Sequence, residues 1–336
     1  MVLDRRAFLS AAAACSVVSA STAQLARAQQ NPRFAAAAGY SAQRDGAAFM
    51  AVRHGIILHE HYPAGGPDTR WPIGAGTRTF LSLLAASLAE DRLLSLDEPV
   101  ANTLAEWTLH PQKSLISMRV LLSGVSGLSF DRGGPSDLAT ALALEPRDEP
   151  GLSFSDDAAP YVLFSEIARR KLEAAGREPD AARYLTSRTL LPIGCVPIGW
   201  ARSSDGLARF DDGAAVSARG WAQAGELIRR EGVWRAQQLA DDNAMREALR
   251  GSVAEARAGF GLWLAADSRS RDGVDIDTDF WRTPSLPFDM AMAAGQGGQR
   301  LYFSPSLGLV VVRQSRSLNA SNWSDAQFLS LVLRDL

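Results

Sequence analysis

The sequence predicts a mixed α/β fold in which one antiparallel sheet, flanked by helices, is built from both chain ends around an inserted helical region. Residues 47–63, AAFMAVRHGIILHEHYP, read as two strands around a turn at His54–Gly55, and four more strand-like segments lie near the C-terminus. Between them, apolar residues recur at helical spacing. We therefore expect a sheet domain over residues 29–80 and 250–336, and a mainly helical region over residues 81–249.

The individual elements follow from local patterns in chain order. After the first two strands, residues 77–96 carry apolar side chains at helical spacing, at Phe80, Leu83, Leu84, Leu88 and Leu94. Helical patterns continue to about residue 250, in segments such as TLAEW, YVLFSEIARRKLEAA and GWAQAGELIRREGVW. GFGLWLAAD, FDMAMAAGQ, QRLYFSPS and LGLVVVRQS then read as strands, with a hairpin turn at Pro305–Gly308. The final segment, WSDAQFLSLVLRDL, predicts a closing helix.

The N-terminus has the pattern of a twin-arginine export signal over residues 1–28. Arg5–Arg6 precede an apolar stretch, and small residues at Ala26 and Ala28 predict cleavage after Ala28. The apolar stretch is short and rich in alanine, so we expect no integral membrane segment in the mature chain. The sequence therefore predicts a periplasmic or secreted protein; an alanine-rich N-terminus without a targeting role is the alternative.

Composition narrows the classes of function. The chain has 336 residues, of which 46% are hydrophobic and 21% charged, as expected for a globular protein with a large core. Its formal net charge of −2 provides no basic excess for binding nucleic acid. After cleavage only Cys195 remains, in the apolar run LLPIGCVPIGW, which predicts a buried thiol and no intramolecular disulfide.

Several spaced segments together resemble one superfamily. They are VRHGIILHEHYPAGGPDTRWPIGAGTRTF, LLSLDEPVANTLAEW, MRVLLSGVSGLSF and MAAGQGGQRLYFSPSLGLVVVRQS. In this order they resemble the serine β-lactamase, penicillin-binding protein and esterase superfamily, and in particular class C β-lactamase-like serine hydrolases. The resemblance covers nearly all of the mature chain. It implies hydrolysis of amides or esters through an acyl-enzyme, without a cofactor, at a site between the sheet and the helical region.

The residues that carry this chemistry in the family are replaced here. The resemblance places the family's S-x-x-K motif on Ala75-Gly76-Thr77-Arg78, so alanine stands for the nucleophile and arginine for the base. It places the second motif's tyrosine at Asp156, and the third motif on Ala293-Ala294-Gly295. Alanine has no nucleophilic group, and arginine stays protonated in proteins. We therefore expect a catalytically degenerate member that binds a small molecule or a protein partner.

The two charged replacements suggest a further contact. Arg78 and Asp156 take the places of groups that lie close together in the family's sites, so we expect them to form a charge-assisted pair. Two independent substitutions in an unselected pocket are the alternative. The chain contains only two lysines, Lys113 and Lys171, and its other basic residues are arginine. Arginine in place of lysine at position 78 is therefore weaker evidence for lost catalysis than it would be in a lysine-rich protein.

Other residues leave alternatives open. A hydrolase with a displaced nucleophile has candidates in Thr77, Thr79, Ser126 and the Ser129–Arg132 segment; Thr77, Ser126 and Gly297 are also candidates for lining a pocket. His59 and His61 lie on one face of a predicted strand and Glu60 on the other, which permits a metal site but fits a structural strand better. The glycines of GQGGQR, residues 295–300, predict a tight bend beside the site rather than a phosphate loop.

Overall fold

The computed structural model describes residues 31–130, 137–265, 278–320, 322–334 and 336, so the export signal predicted over residues 1–28 lies outside the described residues. Within these ranges the strands are β1 (Gly46–Arg53), β2 (Ile56–His61), β3 (Arg70–Pro72), β4 (Ala215–Ser217), β5 (Val233–Trp234), β6 (Gln237–Gln238), β7 (Trp263–Leu264), β8 (Ala291–Gly295), β9 (Gln299–Ser304) and β10 (Leu309–Ser315).

The helices of the described ranges are mostly short. They are α1 (Ala35–Ala42), α2 (Thr79–Glu90), α3 (Met118–Leu122), α4 (Leu138–Ala143), α5 (Ala159–Ala174), α6 (Ala181–Leu185), α7 (Ala218–Arg229), α8 (Asp242–Ala248) and α9 (Asp325–Arg334). A 3-10 turn at Gly74–Arg78 leads into α2, and a π-helical turn at Thr186–Leu190 follows α6. TLAEW forms only a 3-10 turn, at Ala105–Trp107, rather than the α-helix that its pattern predicts.

The main sheet joins the two ends of the chain, as the sequence predicts. Six strands lie in the order β2-β1-β10-β9-β8-β7, and every neighbouring pair is antiparallel. The central pairing, β1 with β10, places Met50 opposite Val312 and Val52 opposite Val310. The predicted strand turn at His54–Gly55 and hairpin turn at Pro305–Gly308 are both confirmed.

Both faces of this sheet are buried, each against a separate hydrophobic core. Successive strand residues point to opposite faces, so neighbours along β1 enter different cores. Met50 and Val52 of β1 belong to a core shared with the helical region, whereas Phe49 belongs to a second core with residues of α1 and α9. Phe328 of α9 packs edge-on against Phe49, with ring centroids 5.3 Å apart. The closing helix predicted at the C-terminus therefore covers one face of the sheet.

Helix α7 lies on the other face of the sheet, although it falls within the range predicted as the separate helical region. It contacts β1, β9 and β10. Gly225 permits the approach, since a Cβ there would lie 2.8 Å from Leu301. Arg219 of α7 also binds the buried Glu60 of β2 with two hydrogen bonds of 2.7 Å. The helical region and the sheet thus share one packed interior.

The histidines of β2 occupy an apolar setting. His59 is buried between Phe34 and Phe49, with ring centroids 5.6 and 5.0 Å away, and Glu60 points to the opposite face, as predicted. The His61 ring lies 6.4 Å from that of His59. No group of three or more His, Cys, Asp or Glu residues in the described ranges is arranged to hold a metal ion.

The environment of His59 predicts a pH-dependent stability. Burial, together with nearby His61, lowers the pKa of His59 from 6.5 to about 4. Because unfolding releases the imidazole to bind a proton, stability is full above pH 6.5 and falls by about 3 kcal/mol as the pH drops to 4. We expect thermal melts between pH 7 and 4.5 to show a steeper loss for wild type than for His59→Phe. Equal slopes would contradict this assignment.

Two further findings concern the thiol of Cys195 and the possibility of a membrane-spanning helix. Cys195 is fully buried, and burial raises the pKa of its thiol to about 12, so it is unreactive near neutral pH. Across the described ranges, no helix combines the length and the apolar character needed to cross a membrane.

Candidate active site

A cleft of about 390 Å³ opens where the edge of the sheet meets the helical region. It is lined by parts of six segments: the Gly74–Arg78 turn, the end of α3, the start of α5 with the residues just before it, and the loops before β7, after β8 and before α9. Aromatic rings at Phe154, Trp263 and Trp323 line it together with polar and glycine residues. This is the location that the sequence predicts for a site.

The turn that precedes α2 presents Ala75 and Arg78 to this cleft, one helical turn apart. Thr77 lies between them but faces inward. It is completely buried; its hydroxyl donates to the Gly74 carbonyl at 2.7 Å and accepts the Ala214 N–H at 3.0 Å. Thr77, a candidate lining residue from the sequence, therefore holds the turn against the interior and does not line the cleft.

Arg78 and Asp156 form an ion pair, as predicted, with Nη1 of Arg78 bound to Oδ1 of Asp156. The arginine is the more buried partner, because its side chain is 18% exposed and that of Asp156 is 39% exposed. The Arg78 guanidinium also lies over the ring of Tyr161, 4.7 Å from the centroid. Tyr161, which the sequence analysis missed, completes a three-residue cluster across the cleft.

Burial and charge fix the ionisation of this cluster. Burial lowers the pKa of Arg78, but the proximity of Tyr161 and Asp156 raises it by more, so the net shift is upward. Burial also raises the pKa of Tyr161 to about 12. At neutral pH the cleft therefore contains a permanent guanidinium cation over a neutral phenol, and neither group is a base.

Asp156→Ala is expected to lower the free energy of unfolding by about 1–2 kcal/mol, because it leaves the Arg78 guanidinium without its anion. This is less than the loss for a fully buried pair, since water reaches Asp156. Urea unfolding would measure it.

The matched control for this change is Asp97→Ala, which breaks the exposed pair between Asp97 and Arg119. We expect that control to cost less than about 0.5 kcal/mol, because exposed pairs contribute little. Equal losses in the two variants would show that the cleft pair has no special role in stability.

The third family segment falls on β8 and the loop that follows. Ala293 is buried in the core and is not a lining residue, whereas Gly295 and Gly297 line the cleft. Gly297 and Gly298 have φ angles of 69° and 74°, so the glycines form the tight bend predicted beside the site. Gln296, an exposed residue, also lines the cleft, and nothing in the sequence had singled it out.

The family model named Beta-lactamase matches residues 26–326, which is most of the sequence and includes every segment around the cleft. This chain belongs to the β-lactamase family. None of the curated proteins is significantly similar to this family member.

Solved structures of related proteins have the same fold. EstCE1, a hydrolase with promiscuous acyltransferase activity, has 15% identity and a TM-score of 0.69, over 90% of this chain and 97% of that chain. A family VIII carboxylesterase has 15% identity and a TM-score of 0.69, over 91% and 98%. A penicillin-binding protein homologue from Caulobacter crescentus has 15% identity and a TM-score of 0.67, over 91% and 98%. At these identities the likeness establishes the fold alone.

The remaining nucleophile candidates of this β-lactamase family member are mostly buried. Thr79 and Ser126 are at most 1% exposed, and the Thr79 hydroxyl donates to the Gly76 carbonyl. Ser126, the other candidate lining residue, therefore lies away from the cleft. Ser129 bonds weakly to the Phe130 carbonyl at 3.4 Å, and Asp131 and Arg132 of that segment lie outside the described residues.

Two serines that the sequence analysis overlooked do line the cleft. Ser123 follows α3 and Ser155 precedes Asp156. Their positions were hidden in the sequence because neither belongs to a motif with a lysine or histidine at catalytic spacing. Within the described ranges, no lysine or histidine lines the cleft, so these hydroxyls have no such base beside them.

Proposed function

We propose that this protein is an exported, non-acylating member of the β-lactamase family whose cleft binds a small molecule or a protein partner. The observation that carries the proposal is the pairing of Arg78 with Asp156 beside Ala75. Alanine offers no attacking atom. A guanidinium that is paired and permanently charged cannot accept a proton from any neighbouring hydroxyl.

The form of the cleft supports a binding role. A volume of about 390 Å³ is in the range of small-molecule sites, which combine apolar walls with a few polar groups. Here the aromatic rings of Phe154, Trp263 and Trp323 supply the apolar surface, and the Arg78–Asp156 pair supplies fixed charges. Such a site suits a compact ligand with one apolar and one polar end.

The experiment that tests this proposal is the intact mass of the purified mature protein after incubation with a fluorophosphonate and, separately, with a penicillin. We expect no adduct from a protein that unfolds cooperatively on heating. An adduct that maps to one serine or threonine of the folded protein would overturn the proposal and would name the nucleophile.

A second candidate function, an esterase or amidase with a displaced nucleophile, has one observation in its favour. The hydroxyl-bearing residues Ser123 and Ser155 line the cleft. If this function holds, fluorophosphonate labelling is lost in one of Ser123→Ala and Ser155→Ala and is kept in the other. Labelling that persists in both variants would argue against a serine of this cleft.

We also propose export by the twin-arginine route, on the basis of Arg5–Arg6 and the cleavage pattern that ends at Ala28. Cell fractionation should recover a mature chain that begins at Gln29 in the periplasm or medium. Replacement of both arginines by lysine should leave the precursor in the cytoplasm. An uncleaved protein in the cytoplasm of wild-type cells would contradict the proposal.

A further inference from the structure

One backbone donor of the cleft is already occupied by a side chain of the same molecule. The Ala75 N–H donates to the side-chain carbonyl Oε1 of Gln296 at 2.9 Å, across a sequence separation of 221 residues. Both residues line the cleft, and Gln296 is exposed. A backbone N–H at this position would otherwise be available to a ligand or to water.

The backbone on both sides is shaped for this contact. Gly74 has a φ of 53°, and a Cβ on it would lie 2.3 Å from the Gln296 Oε1 atom, so glycine leaves room for the amide oxygen. On the opposite side, Arg300 donates to the Gly295 carbonyl at 2.7 Å, and Arg313 donates to the Gly297 carbonyl at 2.6 Å.

These two arginines rise from neighbouring strands, β9 and β10, and are buried. They hold the backbone immediately before and after Gln296, whereas the Gln296 side chain itself is exposed. The side-chain amide therefore stands on a backbone that buried contacts fix on both sides.

We propose that the Gln296 side chain is an internal occupant of the cleft, which a carbonyl-bearing ligand displaces from the Ala75 N–H when it binds. The inference rests on the proposed binding function. It names the side chain that competes with the ligand and the chemical group by which the ligand binds. An amide carbonyl is the group that Gln296 now presents, so the entering group is an amide, ester or carboxylate oxygen. Without a competing ligand, the contact keeps this part of the cleft closed.

The size of the effect follows from the strength of one solvent-exposed hydrogen bond. Such a bond contributes on the order of 1 kcal/mol, so its removal should strengthen ligand binding by about fivefold. Gln296→Ala removes the competitor. Gln296→Glu replaces the amide by a carboxylate, which accepts a stronger, charge-assisted hydrogen bond and should weaken ligand binding instead.

The test uses the isotopically labelled mature protein and follows the Ala75 amide by NMR, with benzamide as the carbonyl probe and benzyl alcohol as its carbonyl-free match. We expect hydrogen exchange at Ala75 to be faster in Gln296→Ala and slower in Gln296→Glu than in wild type. Benzamide should shift the Ala75 amide resonance with about fivefold higher affinity in Gln296→Ala, and benzyl alcohol should show no such gain. Gln327→Ala, a change at an exposed glutamine of α9, is the control and should match wild type.

Each other outcome overturns the proposal. Unchanged exchange at Ala75 in both Gln296 variants would show that the side chain does not occupy the donor. Faster exchange without a gain in benzamide affinity would show that it does not compete with a carbonyl ligand. Failure of the proposed binding function is seen separately, as a fluorophosphonate adduct on the wild-type protein.

Discussion

Asp325→Ala is expected to lower the free energy of unfolding by about 3–5 kcal/mol, the largest loss we expect from a single substitution here. Asp325, the first residue of α9, is fully buried, and its carboxylate binds Arg300 at 2.7 Å. It also accepts hydrogen bonds from Trp323 at 2.9 Å, from Thr278 at 2.6 Å and from the hydroxyl of Tyr302. Removal of the carboxylate leaves a buried arginine cation and three donors without their acceptor.

The control for Asp325→Ala is Asp242→Ala, because Asp242 is likewise the first residue of its helix, α8, and likewise binds an arginine, Arg246. Its side chain is 53% exposed, so we expect a much smaller loss than for Asp325→Ala. Urea unfolding of both variants measures the difference. Losses of similar size would show that burial of the Asp325 cluster adds nothing to its stability.

The Asp325 cluster also determines how far the pH can fall before the folded protein loses stability. Burial raises the pKa of Asp325, but Arg300 and the hydrogen bonds from Thr278 and Tyr302 together lower it by more, so the net pKa lies below the ordinary value of 3.8. Its stabilising contribution is therefore complete above pH 3.8 and is lost as the pH falls below that value. His59 acts earlier, between pH 6.5 and 4, so acid should destabilise the protein in two separate ranges.

Asp325 also connects the second core of the sheet to the cleft. Arg300, which Asp325 holds, donates to the Gly295 carbonyl in the loop that carries Gln296. A variant that frees Arg300 should therefore loosen this loop as well as the interior. The protein uses buried charge beneath the cleft, where an ordinary core would contain apolar side chains, and this arrangement fixes the position of the cleft's backbone.

The sheet built from both chain ends and the location of the cleft could be predicted because they depend on regular patterns. Continuous apolar runs in β1 and β10 fit a sheet with two buried faces, and the spaced segments of the family place the site beside it. The Arg78–Asp156 pair was also predictable, because opposite charges replaced two neighbouring groups. Each of these features follows from where residues lie along the chain and does not depend on the direction of an individual side chain.

The remaining features of the site depend on side-chain directions that no pattern specifies. Gln296 is one exposed glutamine among several glycines, and only the positions of Gly74 and Ala75 show where its amide points. Thr77 lies within the motif but faces the interior, since the 3-10 turn directs its hydroxyl to the Gly74 carbonyl. Ser155 lines the cleft just before α5, which begins at Ala159, a boundary that the sequence does not fix to within a residue.

The second large effect we expect is a gain of acylation in the triple variant Ala75→Ser, Arg78→Lys, Asp156→Tyr. The turn presents positions 75 and 78 to the cleft one helical turn apart, and position 156 lies in contact with position 78. A serine, a lysine and a tyrosine at these positions would bring a hydroxyl beside an amine that can accept its proton. Loss of the guanidinium also removes the ion pair that now occupies this space.

The measurement is the intact mass after reaction with a fluorophosphonate. We expect one adduct per chain, which maps to position 75, whereas wild type shows none. The double variant Arg78→Lys, Asp156→Tyr keeps Ala75 and should show no adduct, so that labelling depends on the new serine. Addition of Gln296→Ala to the triple variant should speed labelling further, because it frees the backbone N–H of position 75, which Gln296 occupies in the wild type and which would stabilise the developing oxyanion.

The outcome separates two descriptions of the cleft. If the triple variant is folded and reacts, then the scaffold still holds the geometry for acyl transfer, and the wild-type chain differs from a hydrolase only in the identity of these side chains. If it is folded and unreactive, the backbone of the Gly74–Arg78 turn and the Gln296 loop has been reshaped around the Arg78–Asp156 pair and the Gln296 contact. In that case the charged residues of the cleft would have changed its shape as well as its chemistry. The buried Arg300 and Arg313, which bind carbonyls of the Gln296 loop, would then hold that loop in one backbone arrangement.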